Sequence, residues 1–146
     1  MPAGLLRGAL TVTARAGAIG ATGAAGGTDG AGGAGDEPRS AASVAVSADE
    51  PVFAGHYPGF PILPGVCVIE FVHRTALASA PAGDGELRLD AVDSARFLGA
   101  VLPGATMYAD LAWSRRDERL RCRAEVRTDD GPVAVVALRF GTGGPA

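Results

Sequence analysis

Strict alternation of apolar and polar residues dominates the C-terminal half of the chain. Between Arg119 and Thr128 every second residue is Leu, Cys, Ala, Val or Thr, and the residues between are arginines and one glutamate. Residues 105–114 alternate in the same way. Because successive side chains of a strand point to opposite sides, this pattern predicts half-buried antiparallel strands, with a hairpin turn at Asp130-Gly131. We expect two more strands, a long or bulged one over residues 86–101 and a last one over residues 133–140.

The N-terminal half contains two shorter strand patterns, over residues 4–15 and 41–48. Residues 17–35 between them hold nine glycines and six alanines. Such a composition cannot build a core, because glycine loses much entropy on ordering and has no side chain to bury. We interpret residues 17–38 as a flexible Gly/Ala-rich loop inside a single domain that spans residues 1–146.

One helix is predicted between the two groups of strands. Pro64 suits its first position, where a missing N–H costs nothing, and Pro81 lies just beyond its expected end near Ala80. From Val66 to Val72 the helix is apolar on every side except at Glu70, which indicates that other structure wraps it. One apolar helix and five or six antiparallel strands predict an α+β fold with the sheet curled around the helix.

Composition excludes several classes of protein. The net charge is −3, which predicts no nucleic-acid partner, and no apolar run approaches the roughly 20 residues that a membrane span needs. All thirteen positive charges are arginine, so P-loop, Schiff-base and pyridoxal chemistry lack their lysine. Two cysteines and two histidines, widely spaced, match no metal site or disulfide framework. We expect reduced thiols, a cytoplasmic location, no metal and no cofactor.

The candidate chemistry is concentrated in the segment Gly55–Glu70, which reads GHYPGFPILPGVCVIE. It holds one of the two histidines, His56, on a proline-rich stretch, and a carboxylate, Glu70, inside an apolar helix. A proline-rich turn before a core helix would explain the prolines but not Glu70. A carboxylate among apolar side chains costs several kcal/mol unless it is paired or protonated. We therefore interpret His56 and Glu70 as a proton-transfer pair.

The same segment resembles the signature of the hot-dog-fold 3-hydroxyacyl-acyl-carrier-protein dehydratases. In that signature a histidine, an aromatic residue and three prolines lead to Pro-Gly-Val, and a glutamate follows the histidine by fourteen residues, as Glu70 follows His56. Residues 49–53, 92–97 and 101–104 are similar to flanking parts of the family. The glutamate distinguishes the non-isomerising members, and Ala105 stands where the family usually has aspartate.

The resemblance implies a hot-dog fold and loss of water from a 3-hydroxyacyl thioester, giving a trans-2-enoyl thioester. His56 would be the base that takes the C2 proton, and Glu70, kept protonated by its apolar helix, would donate to the leaving hydroxyl. The unpaired N–H groups of Gly65 and Val66 at the helix N-terminus would stabilise the thioester oxyanion. The resemblance further implies that His56 and Glu70 face each other across a dimer interface, one from each subunit. We therefore expect a homodimer or a higher assembly, with a heterodimer as the alternative.

The expected substrate is carried on a phosphopantetheine thioester of an acyl carrier protein or of coenzyme A, in fatty-acid or polyketide-type biosynthesis. A hot-dog acyl thioesterase and a non-catalytic acyl-binding or partner subunit of a heterodimeric dehydratase remain the alternatives. Arginines form a further candidate surface, which is either a solvated sheet face or a docking patch for an acidic carrier. Its members would be Arg74, Arg96, Arg119, Arg121 and Arg123.

Two other residues receive simpler interpretations. We expect Cys67 to pack in the core rather than to act as a nucleophile, because no base is placed to activate it. His73, three residues after Glu70 on the helix, is expected to line an interface or a polar end of the helix, with an intrahelical contact possible.

Overall fold

The computed structural model describes residues 8–17, 38–50, 53, 62–81, 87–116 and 119–142. They form one helix and six strands. The strands are β1 (Leu10–Ala14), β2 (Arg39–Ala45), β3 (Leu87–Phe97), β4 (Thr106–Arg116), β5 (Arg119–Thr128) and β6 (Gly131–Thr142), and the helix α1 is Gly65–Ser79. The predicted strand over residues 4–15 is shorter than expected among the described residues, and the other elements lie within a few residues of their predicted bounds.

The six strands form one antiparallel sheet in the order β1-β2-β4-β5-β6-β3. Alternation decides which side chains enter the core, as predicted for β4 and β5. Leu120, Cys122, Ala124 and Val126 are buried, whereas the arginines between them are partly or fully exposed. The register between β3 and β6 shifts twice, so the expected long strand is a bulged one.

The helix α1 begins one residue after Pro64, which is its N-cap in an extended conformation. It ends at Ser79, because Ala80 is extended and Pro81 cannot continue the hydrogen-bond pattern. One face of α1 contacts all six strands, and Phe71, Val72 and Ala76 are fully buried against them. The predicted arrangement of a curved sheet around one apolar helix is confirmed.

The six described strands of the single chain do not enclose the helix on every side. Val66 is 57% exposed and Leu77 is 50% exposed, although both are apolar. The sheet therefore leaves apolar side chains exposed both at the N-terminal turn of the helix and near its C-terminal end. Half-exposed Phe97, Leu98 and Leu102 lie at the end of β3 and in the turn after it.

Two further expectations stay predictions. The Gly/Ala-rich loop over residues 17–38 lies almost wholly outside the described residues, and the single-domain assignment depends on it.

Among the described helical residues none forms a segment long and apolar enough to cross a membrane.

A buried polar contact joins the sheet to the C-terminal end of α1. The indole N–H of Trp113 donates to Ser40 Oγ at 2.8 Å, and the Ser79 hydroxyl lies 2.8 Å from the same oxygen. All three side chains are at most 1% exposed. Ser40 therefore supplies the acceptor for an indole N–H that would otherwise be buried without a partner.

We predict that Ser40→Ala destabilises the protein by about 1–3 kcal/mol, because it leaves the Trp113 indole N–H buried without an acceptor. Urea unfolding would show a lower midpoint with an unchanged slope. Ser43→Ala, on the same strand but only half-buried, is the matched control and should change the midpoint little. Equal midpoints for the two variants would contradict the structural role of Ser40.

Candidate active site

The N-terminal turn of α1 carries backbone donors that the helix itself does not use. No side chain caps this end, and the first intrahelical bond runs from Cys67 N to Pro64 O at 2.9 Å. The N–H groups of Gly65 and Val66 precede it and have no acceptor inside the helix. Together with the helix dipole, they form a position that favours a negatively charged oxygen.

Phe97, at the end of β3, packs directly against Gly65. A Cβ added to Gly65 would lie 2.9 Å from Cζ of the Phe97 ring, which is closer than carbon atoms normally approach. Glycine at this position therefore lets the ring lie over the first turn of the helix. The ring itself remains 49% exposed.

A cavity of about 400 Å³ opens beside this contact. Apolar side chains form most of its wall, and the backbone of the helix N-terminus forms the remainder. Its lining residues are Ile62, Leu63, Pro64, Gly65, Val68, Phe97, Gly99, Ala100 and Val101. The arrangement suits a ligand with an apolar chain and one carbonyl oxygen next to the amide groups that have no acceptor inside the helix.

Glu70 lies on α1 five residues after Gly65, which places its Cα roughly 8 Å further along the helix axis. It is half-buried and has interacting partners. Its charge reaches both neighbouring helical turns, since it contributes to raising the pKa of Cys67 and opposes the lowering of the pKa of His73. The carboxyl group is thus on the same helix as the candidate oxyanion site, as the sequence predicted.

His56 lies outside the described residues, so its pairing with Glu70 stays a prediction. The chain is nevertheless anchored on both sides of it. Phe53 is 8% exposed in the core, and its N–H donates to Glu50 O at 3.0 Å. After the gap, Leu63 N donates to Val101 O at 2.9 Å.

The remaining titratable groups near α1 do not resemble nucleophiles. Burial, with the nearby charges of Glu70 and Glu50, raises the pKa of the Cys67 thiol to about 11. Burial raises the pKa of Cys122 to about 12. Both thiols are free and lie in the core, so the expectation that Cys67 is a packing residue is confirmed. The described residues contain no group of His, Cys, Asp or Glu side chains that could hold a metal ion.

The five candidate docking arginines differ in their surroundings. Arg119 forms an ion pair with Asp90, and Arg121 lies 3.7 Å from Asp93. Arg74 donates from Nη2 to the carbonyl oxygen of Gly8 at 3.0 Å and is part-buried.

Arg96 and Arg123 are exposed, and neither forms an ion pair with any residue within the described ranges. The outer sheet face therefore has its positive charge partly balanced by aspartates. Docking through any of these arginines stays a prediction.

Sequence reasoning did not single out two residues that the structure brings to this region. In the sequence they stand out only as members of residues 92–97 and 49–53, which resemble flanking parts of the family. The signal for Phe97 was a large aromatic residue at the end of a strand and just before Gly99. The signal for Glu50 was a carboxylate next to proline, six residues before His56.

Comparison with known proteins agrees with the fold and identifies the family. Solved structures that share the fold include the dehydratase heterocomplex ApeI:P from Xenorhabdus doucetiae, with a TM-score of 0.52 and 22% identity over 69% of this chain and 87% of that one. The R-hydratase PhaJ1 from Pseudomonas aeruginosa superposes with a TM-score of 0.58 at 16% identity, covering 73% of this chain and 80% of that one. At such identities the likeness concerns the fold alone, and the hot-dog fold is confirmed.

The sequence comparisons are more specific. The sequence model of the ApeI-like family, described as ApeI dehydratase, matches residues 34–135. The 3-hydroxyacyl-[acyl-carrier-protein] dehydratase FabZ of Thermus thermophilus is 35% identical over 112 residues, which are 70% of this chain and 78% of that protein. The chain belongs to the family of ApeI-like dehydratases.

Another relative, FabZ of Desulforamulus reducens, is 48% identical over 70 residues. That match covers 45% of this chain and 49% of the relative. The chain thus spans about half the length of this relative, and 60% of the FabZ of Solibacter usitatus.

We predict that His73 makes the protein less stable in mild acid. Its ring lies 6.1 Å from that of Phe140, and burial lowers its pKa from the ordinary 6.5 while Glu70 partly opposes the shift. Above pH 6.5 the imidazole is neutral in both states and its contribution is complete. Below pH 6.5 the unfolded chain binds a proton that the folded chain resists, so stability falls with pH until the folded imidazole also titrates.

Urea midpoints measured between about pH 7.5 and about pH 5.5 would test this, with His73→Gln as the comparison. The wild-type midpoint should fall more steeply than that of the variant. Parallel curves would contradict the prediction, because all other titrating groups are common to both proteins.

Proposed function

We propose that the protein is a hydro-lyase that removes water from a 3-hydroxyacyl thioester and releases a trans-2-enoyl thioester. The observation that carries the proposal is the combination of the Gly65 and Val66 N–H groups, which have no acceptor inside the helix, an apolar cavity lined in part by Gly65, and Glu70 on the same helix. Support also comes from the relatives named 3-hydroxyacyl-[acyl-carrier-protein] dehydratase. Fatty-acid or polyketide-type biosynthesis is the pathway class in which such a reaction is needed.

The proposed reaction proceeds through the following sequence of bond changes. The thioester carbonyl oxygen binds the N–H groups of Gly65 and Val66, which withdraw electron density and acidify C2. His56 accepts the C2 proton, the electron pair forms the C2–C3 double bond, and the C3–O bond breaks. Glu70 in its protonated form donates to the departing hydroxyl, which leaves as water. His56 has then gained one proton and Glu70 has lost one, and exchange with solvent restores both.

No nicotinamide, flavin or metal takes part in these steps. The thioester would be carried on the phosphopantetheine arm of an acyl carrier protein or of coenzyme A. We further propose a cytoplasmic location, which agrees with two free thiols.

We propose that two chains assemble with the open N-terminal turn of α1 at or near their contact. Val66, Phe97, Leu98 and Leu102 are each about half exposed, and a stable single chain gains nothing from leaving such side chains in water. The strand β3 is also a sheet edge, with β6 as its only neighbour among the described strands. The partner could be a second copy of this chain or a different subunit, since the ApeI:P dehydratase of Xenorhabdus doucetiae is a heterocomplex.

We predict that His56→Ala and Glu70→Gln each lower the dehydration rate by at least ~10²-fold, because each removes one proton-transfer group. The assay uses a 3-hydroxybutyryl thioester and follows enoyl absorbance and free thiol separately. Thiol release without enoyl product would identify a thioesterase, and neither product would indicate an acyl-binding subunit. Folded variants that keep wild-type rates would contradict the roles of both residues.

Mixing the two inactive variants tests whether the site is shared between subunits. If His56 comes from one subunit and Glu70 from the other, a mixed dimer contains one intact site. Refolding an equal mixture should then recover about a quarter of the wild-type activity. If both groups come from the same subunit, the mixture stays inactive.

We propose that an acidic carrier docks through Arg96 and Arg123, the two exposed candidate arginines that form no ion pair within the described residues. Arg119 and Arg121 are partly neutralised by Asp90 and Asp93, and would contribute less. Charge steering of this kind raises the association rate and is screened by salt.

The docking proposal predicts that Arg96→Ala and Arg123→Ala raise KM several-fold for carrier-bound substrate but not for a small thioester mimic. Raising the salt concentration from about 50 mM to about 300 mM should have the same selective effect. Arg119→Ala is the matched control, since its charge is already paired, and should change KM less. Equal effects on carrier-bound and small substrates would exclude docking on this face.

A further inference from the structure

Glu50 is the one charged side chain that is buried in the described part of the chain, with 4% of its surface exposed. Its Oε2 accepts a hydrogen bond from the backbone N–H of Gly8 at 3.2 Å. Gly8 lies just before β1, and Glu50 lies in the segment between β2 and α1. Burying a carboxylate costs free energy, so the buried Glu50 side chain indicates a specific role for its contact with Gly8 rather than simple packing.

The other side of Gly8 is held by the helix. Arg74 Nη2 donates to the Gly8 carbonyl oxygen at 3.0 Å. Gly8 thus connects Glu50, which precedes His56 by six residues, with Arg74, which follows Glu70 by four. Phe53 N–H donates to Glu50 O at 3.0 Å, which fixes the chain three residues before His56.

Gly8 itself has no freedom to move aside. A Cβ added there would lie 2.5 Å from the backbone oxygen of Ala45 and 2.9 Å from Cγ2 of Val44. The backbone of Gly8 is therefore packed against the end of β2, and only glycine fits. Because Gly8 cannot shift, its bonds to Glu50 and Arg74 hold these two residues at a fixed distance from each other.

The charge of Glu50 also reaches the helix face that carries Glu70. Both carboxyl groups contribute to raising the pKa of the Cys67 thiol, which lies on α1 between Gly65 and Glu70. Glu50 is thus near the helix turn that leads to the candidate acid, as well as on the segment that leads to the candidate base.

We propose that Glu50 and Arg74 are positioning residues, which hold the Gly8 backbone between them and thereby fix Glu50 and Phe53, the described residues that precede His56, relative to α1. The inference rests on the proposed function, since it concerns the geometry of the His56 and Glu70 pair. A loosened pair would still bind substrate but would react more slowly, because displacements near 1 Å can lower a rate by ~10²-fold.

The test measures kcat and KM on a small 3-hydroxyacyl thioester, which removes any contribution from carrier docking. Glu50→Ala is expected to lower kcat at least ~10-fold with KM changed by less than about threefold. Glu50→Gln keeps an oxygen acceptor for the Gly8 N–H and should restore kcat to within about threefold of wild type. Arg74→Met, which removes the bond on the other side of Gly8, is expected to lower kcat in the same way.

The chain offers a matched control at the other end of β1. Arg15 Nη1 donates to the Ala78 carbonyl oxygen at 2.8 Å, so it also ties the N-terminal strand to α1, but away from Glu70. Arg15→Ala should leave kcat unchanged. If it lowers kcat as much as Glu50→Ala does, general loosening of β1 explains the effect and the proposal is overturned.

The double variant E50A/R74M completes the test. Since both residues act through Gly8, its kcat should be close to that of the worse single variant rather than the product of the two losses. Multiplicative losses would overturn the proposal. If Glu50→Ala does not fold, Arg74→Met decides, and a wild-type kcat for that variant would also overturn it.

Two outcomes separate this inference from the proposed function. If Glu50→Ala and Arg74→Met keep wild-type kcat while His56→Ala is inactive, the positioning role is wrong and the dehydratase mechanism stands. If His56→Ala and Glu70→Gln are also fully active, the proposed function itself is wrong.

Discussion

The enclosure of one apolar helix by one curved antiparallel sheet is the constraint on which the other features depend. The helix can bury Phe71, Val72 and Ala76 only because all six strands contact it. The same enclosure stops at the first turn, where Val66 remains exposed. The sheet thus stabilises the helix and leaves uncovered the one end whose backbone N–H groups have no acceptor within the helix.

The candidate site lies at that open end. Deeper in the fold, thiols such as Cys122 are held in their neutral form by burial. At the N-terminal turn, by contrast, the amides of Gly65 and Val66 lie beside an apolar cavity, and Glu70 follows on the same helix. A rigid helix is a suitable support for such a site, since it fixes the spacing between the donors and the carboxyl group.

The residues at both ends of the N-terminal strand β1 are hydrogen-bonded to other parts of the described chain. The bonds from Gly8 to Glu50 and Arg74, and from Arg15 to Ala78, hold both ends of β1 and attach them to the C-terminal half of α1. A strand at the sheet edge is otherwise weakly held. Here its attachment links two parts of the chain that are distant in sequence and that both lead to the candidate proton-transfer groups.

The sequence by itself determined the elements and the candidate chemistry. Period-two alternation decided β4 and β5, the apolar run bounded by Pro64 and Pro81 decided α1, and the resemblance of Gly55–Glu70 to the dehydratase signature indicated the candidate site. Only the tertiary structure decided that Phe97 packs on Gly65, that Arg119 and Arg121 meet aspartates of β3, and that Glu50 reaches Gly8. These contacts join residues far apart in the chain, and local periodicity carries no information about which distant partners the folded sheet will bring together.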